Sequence, residues 1–136
     1  MLKRLKSSKL SEFVDIGISL LILRVVASFA MIYGHGWGKL MNVFSGNFQF
    51  ADPIGLGPTI SLILAAFAEA ICAFLVMIGY YTRAAALVLV INMTVAFLFV
   101  HLFNDPFSGM EKAVLFLTIY LTIFLTGPGK YSLDSE

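Results

Sequence analysis

Long apolar runs separated by short polar breaks dominate this chain. The runs fall at roughly 14–40, 58–81, 84–103 and 110–126, and Leu, Ile, Val, Phe and Ala fill their interiors. A bilayer core about 30 Å thick needs about 20 mainly apolar residues in a helix. Each run comes close to or exceeds that length. Their continuous hydrophobicity carries more weight than any amphipathic period. The pattern predicts an all-α fold: an integral membrane four-helix bundle, one domain over residues 1–136.

The breaks carry turn chemistry. The first holds Ser45-Gly46-Asn47, Asp52-Pro53 and Gly55-Leu56-Gly57-Pro58, and Pro58 suits the first turn of the next helix. The second, Gly79 to Arg83, is so short that the helices on either side must be antiparallel neighbours. In the third, Ser108 followed by Glu111 reads as a capping box for the fourth helix. Gly127-Pro128-Gly129 ends that helix, since proline cannot continue it. The first connection, about Asn42 to Gly57, mixes Phe48, Phe50, Ile54 and Leu56 with polar residues. It can lie flat on the membrane or dip into it.

Composition sharpens this picture. The chain is 60% hydrophobic and 12% charged, against about a quarter charged for a soluble domain. It has too little polar surface to cover a soluble globule, so the lipid bilayer is its first partner. Its net charge is +1, and its one dense basic cluster is Lys3, Arg4, Lys6 and Lys9. No basic face exists for a nucleic-acid partner. Cys72 is the sole cysteine, which excludes an intrachain disulfide and a Cys-x-x-Cys relay. The basic start and apolar stretch resemble a signal peptide, but the stretch runs on from Ile16 to Tyr33 and further spans follow. It reads as a retained first helix.

Four spans put both termini on one side. That side collects Lys3, Arg4, Lys6, Lys9, Arg83 and Lys130, against Lys39 and Lys112 opposite. The positive-inside rule then places the termini in the cytoplasm, across a plasma membrane such as the bacterial inner membrane. Tyr80 and Tyr81 fall at one interface and Tyr33, Trp37, Phe48 and Phe50 near the other, as aromatic anchors.

Ionisable groups at membrane depth are costly and normally face a partner inside the bundle. Arg24, Glu69 and Asn92 lie deepest, at about 12, 18 and 12 Å from the terminal side by helix rise. Depth alone pairs Arg24 with Glu69, with Asn92 beside them. Such a pair serves either to fix helix packing or to line a site. A second layer nearer the opposite face holds His35, Lys39, His101 and Glu111, with Trp37 alongside. Arg24, His35 and Lys39 share one stripe of the first helix. Asn92 and His101 are nine apart, near opposite faces of an ideal helix, so either that helix is kinked or one of the two does not face the core. No metal-ligand spacing is present, and no metal is expected. The Gly34-His35-Gly36-Trp37-Gly38 stretch permits either close helix contact or local unwinding.

Taken in order, several fragments resemble the DoxX family of small membrane proteins. They are Arg24, Gly34-His35-Gly36-Trp37-Gly38-Lys39-Leu40, Glu69, Gly79, Thr82-Arg83-Ala84-Ala85, His101, Gly109 with Glu111, and Thr126-Gly127-Pro128-Gly129-Lys130-Tyr131-Ser132-Leu133-Asp134. The resemblance runs from about Ile16 to Asp134 and implies a four-helix membrane bundle. It also implies an association with redox work, since relatives are similar to the membrane subunit of thiosulfate:quinone oxidoreductase. The expectation is a membrane redox-associated subunit, part of a quinone-linked oxidoreductase, that binds quinone or a similar small lipophilic molecule between its helices. Arg24, Glu69 and Asn92 would form the deep end of that site, and His35, Lys39, His101 and Glu111 its mouth. The alternatives are a non-enzymatic scaffold for a protein partner, or a small-solute transporter acting as a homo-oligomer.

Overall fold

The computed structural model describes residues 14–135. The basic cluster Lys3, Arg4, Lys6 and Lys9 lies outside them. The apolar runs become four helices: α1 (Ile16–Ser45), α2 (Pro58–Ile78), α3 (Thr82–His101) and α4 (Phe107–Thr126), each long and apolar enough to cross a membrane. They run up, down, up and down, each packed against the next, with α1 and α4 meeting along the loosest seam. Met31, Cys72, Val76, Leu89, Met93, Tyr120 and Ile123 form the core. Large apolar side chains such as Val26, Phe29, Ile91 and Leu125 point outward, as they must when the solvent is lipid.

Local chemistry sets the ends. Asp15 caps α1 by accepting from the Gly17 N–H at 2.8 Å. Pro58 opens α2 as expected, and Gly127, with φ of 81°, closes α4. Two expectations fail at other ends. α1 continues to Ser45 rather than stopping near Leu40. α4 opens at Phe107, with Pro106 in the cap position and no side-chain cap. Ser108 therefore lies inside the helix, and its pairing with Glu111 as a capping box is incorrect. The extended backbone at Pro106 (φ −63°, ψ 164°) starts the helix without it.

α1, α2 and α3 each contain one π-helical stretch, at Ile32–Gly36, Phe67–Cys72 and Ala96–His101. Such wide turns locally shift the register of a helix face and are frequent at functional sites.

The chain from Gly127 to Asp134 folds back across the terminal end of the bundle. Fully buried Arg24 clasps it, donating to Val76 O (3.1 Å), to Pro128 O and to Tyr131 O (2.9 Å). Asp134 caps α3, accepting from the Tyr81 and Thr82 N–H groups at 2.9 and 2.8 Å. Lys130 pairs with Asp15 at 2.7 Å, and the Tyr131 hydroxyl donates to the same carboxylate at 3.0 Å. Gly79 is required here: its φ is 74°, and a Cβ would strike the Ser132 side chain. The closing motif is thus a latch over the bundle end.

Candidate functional site

The close approach of α1 and α2 organises the site. Gly36 lies directly against the backbone of Glu69 and Ala70, with no space for a Cβ. The glycine-rich stretch therefore stays helical and uses its missing side chain for contact. One turn on, Lys39 donates to Glu69 Oε2, while Asn92 Nδ2 on α3 donates to Glu69 Oε1 at 2.9 Å. Three helices thus meet on one carboxylate that is only 4% exposed. Both of its oxygens are satisfied, which a charge at this depth demands.

The expected pairing of Arg24 with Glu69 is incorrect. Helical side chains tilt toward the N-terminus of their own helix. Arg24 on α1 therefore leans toward the terminal face, while Glu69 on antiparallel α2 leans the other way. The same tilt carries Lys39 back onto Glu69. Arg24 finds its acceptors among backbone carbonyls instead, Val76 on α2 and Pro128 and Tyr131 in the latch.

The second layer does not assemble as one cluster. Lys39 leaves it for Glu69. His101 pairs locally with Asp105 across one turn, at 2.5 Å. Asn92 has claimed the inward face of α3, and the π stretch does not bring His101 round to join it. His35 sits edge-on to Phe116 on α4, ring centroids 5.8 Å apart. Glu111 is exposed and makes no ion pair among the described residues. Trp37 and Tyr33 face outward at 56% and 80% exposure. Arg83 lies near the Gly127 turn, within the latch region. Among the described residues, no three His, Cys, Asp or Glu side chains lie close enough to hold a metal ion.

Next to the Lys39–Glu69–Asn92 triad is a cavity of about 390 Å³ between α2 and α3. Its walls are apolar, including Leu64, Phe67, Val88 and Ile91, while Glu69 and Asn92 are exposed to it. The first connection folds over it, bringing in Phe50, Ile54 and Leu56. Asp52 pins that cover to α2, accepting from the Gly57 N–H (3.0 Å) and the Ser61 hydroxyl (3.3 Å). Phe50 is thus a lining residue rather than an interface anchor. The sequence pointed to this cover only through the apolar residues set in a polar loop.

These features define a multi-pass membrane protein: a four-span bundle with a lipophilic cavity beside a buried, fully paired carboxylate. The DoxX family model matches residues 19–102, and the chain belongs to that family. An uncharacterized protein of Haemophilus influenzae is 29% identical over 127 residues, covering 86% of this chain and 89% of its own. Inner membrane protein YqjF of Escherichia coli is 30% identical over 128 residues, covering 88% and 91%. No solved structure matches.

Proposed function

We propose that this protein is the membrane subunit of a redox assembly and that it binds quinone, or a similar small lipophilic molecule, in the cavity beneath the first connection. The observation that carries this reading is the make-up of that cavity. Its volume of about 390 Å³ falls in the usual range for small-molecule sites, about 300–1,000 Å³. Its walls suit a ring and an apolar tail. Its hydrogen-bonding groups include Asn92, which keeps one amide N–H beyond the bond to Glu69 and so can donate to a ring carbonyl. The Glu69 carboxylate can accept a proton or hydrogen bond from a ring hydroxyl, and Lys39 balances its charge. A bound quinone would supply the electron-carrier chemistry; the chain's residues orient it, exclude water and hold the proton acceptor. The name of the Escherichia coli relative supports an inner-membrane location. The Lys and Arg distribution supports cytoplasmic termini.

The complete side-chain pairing of Glu69 also favours a second reading, a scaffold in which the polar groups only fix helix packing. One experiment separates the two. Purified full-length protein is assayed for copurified quinone and for equilibrium binding of a short-chain quinone. Glu69→Gln and Asn92→Ala are expected to weaken binding about tenfold, the worth of one strong hydrogen bond, with helicity retained. Folded protein that binds no quinone above the detergent background, or binds equally in both variants, would leave the scaffold reading.

A further inference from the structure

A second groove runs along the α1–α4 seam, on a different face from the covered cavity. Its volume is about 640 Å³, and Ile22, Val26, Ala30, Leu115 and Ile119 give it an apolar floor. His35 and Lys112 border the same groove, and among the described residues no acidic side chain lines it. Lys112 makes no ion pair among the described residues. It lies about 7–8 Å of helix rise inside the start of α4 at Phe107. A lysine at that depth extends its ammonium outward to the headgroup level while its stem stays among apolar groups. From His35 to Ile22 the groove follows about 20 Å of α1, more than the about 15 Å depth of one leaflet's hydrocarbon.

We propose that the α1–α4 groove holds an anionic phospholipid from the leaflet opposite the termini, with its phosphate at Lys112 and an acyl chain running down the apolar floor past His35. Charge complementarity selects this occupant: the groove offers the Lys112 cation and, among the described residues, no carboxylate. The site is independent of the covered cavity and stands whether or not that cavity takes a quinone.

The test is native mass spectrometry of the full chain in detergent, titrated with phosphatidylglycerol and with phosphatidylcholine of the same acyl chains. Phosphatidylglycerol is expected to bind more tightly. Lys112→Ala should weaken it about fivefold, the effect of one lysine near an anionic headgroup, and Lys112→Arg should retain it. Ala30→Phe, at an exposed position, should fill the groove and lower binding with Lys112 intact. Melting temperatures matching the parent confirm that each variant folds. Equal binding of the two lipids, or an unchanged Lys112→Ala, would overturn the proposal. Displacement of the lipid by inorganic phosphate would assign the Lys112 cation to a soluble anion and overturn it as well.

Discussion

Replacing Gly36 with alanine adds one carbon where α1 and α2 are closest. Built on the present backbone, that carbon falls against the carbonyl of Glu69 and within 2.7 Å of Ala70 N. Ordinary carbon contacts begin near about 3.5 Å, and these obstacles are backbone that no rotamer change can move. The helices would have to separate by on the order of 1 Å at this level. Overpacking of this kind costs about 1–3 kcal/mol. The shift also draws Lys39 off Glu69, and weakening a buried ion pair adds up to about 3 kcal/mol. The expected total loss is about 1–6 kcal/mol. Gly34 and Gly38 provide the control: a Cβ at either meets nothing within 4 Å. Alanine there should gain up to about 1 kcal/mol from helix propensity. Equilibrium unfolding of the three variants in mixed micelles measures the contrast. Equal stability of Gly36→Ala and Gly34→Ala would refute the close approach and the triad built on it.

Three further outcomes follow from the polar contacts. Lys39→Met alone leaves Glu69 with Asn92 as its remaining partner and should cost about 3 kcal/mol. Adding Glu69→Met should recover most of that stability in an unfolding assay, since apolar pairs often replace buried ion pairs at little cost; the double variant should still lack quinone binding. Arg24→Ala should cost about 3–5 kcal/mol in the same assay by removing the shared donor of the buried Val76 carbonyl and the half-buried Pro128 and Tyr131 carbonyls. Arg24→Lys should rescue it only in part, because lysine lacks the planar fork. Asp134 titrates as part of the latch: burial raises its carboxyl, but hydrogen bonds from Thr82 and Tyr81 and the charge of Arg24 outweigh it and hold the group below its usual 3.8. A lowered folded value stabilises above the unfolded pKa of about 3.9 and is lost as pH falls through the folded value. Asp15 beside Lys130 has the same sign, so thermal unfolding of Asp134→Asn against the parent, from neutral pH downward, isolates the Asp134 share. The variant keeps only one of the two acceptor oxygens, so it should lose about 1 kcal/mol at neutral pH and show a flatter acid limb.

The four spans were legible because lipid imposes one simple requirement, apolar length, and Pro58 and Gly127 mark ends by steric rules that hold in any context. The partner of Arg24 was not legible. A charge invites a search for the opposite charge, yet its acceptors are backbone carbonyls 52, 104 and 107 residues away, which leave no mark on composition. Depth placed Arg24 and Glu69 within reach but ignored the opposing tilts of side chains on antiparallel helices. A first helix ending near Leu40 puts Lys39 in an outer layer; the helix continues to Ser45, and Lys39 turns inward to Glu69. Asn92 and His101, nine residues apart, do not share a face: Asn92 meets Glu69 and His101 stays with Asp105. A π stretch and an outward, Asp105-paired His101 are both present. The closing motif was conspicuous as a string, but its role as a latch required the fold.

The covered cavity is tested most directly by photolabelling with an azido-quinone in native membranes, followed by peptide mapping. Labelling should concentrate on the cover, Phe50 to Leu56, and on the cavity face of α3, Val88 to Val100. It should fall in Glu69→Gln and compete away with unlabelled quinone. Label confined to α1 and α4, or spread over every lipid-facing helix without competition, would contradict a quinone site in that cavity.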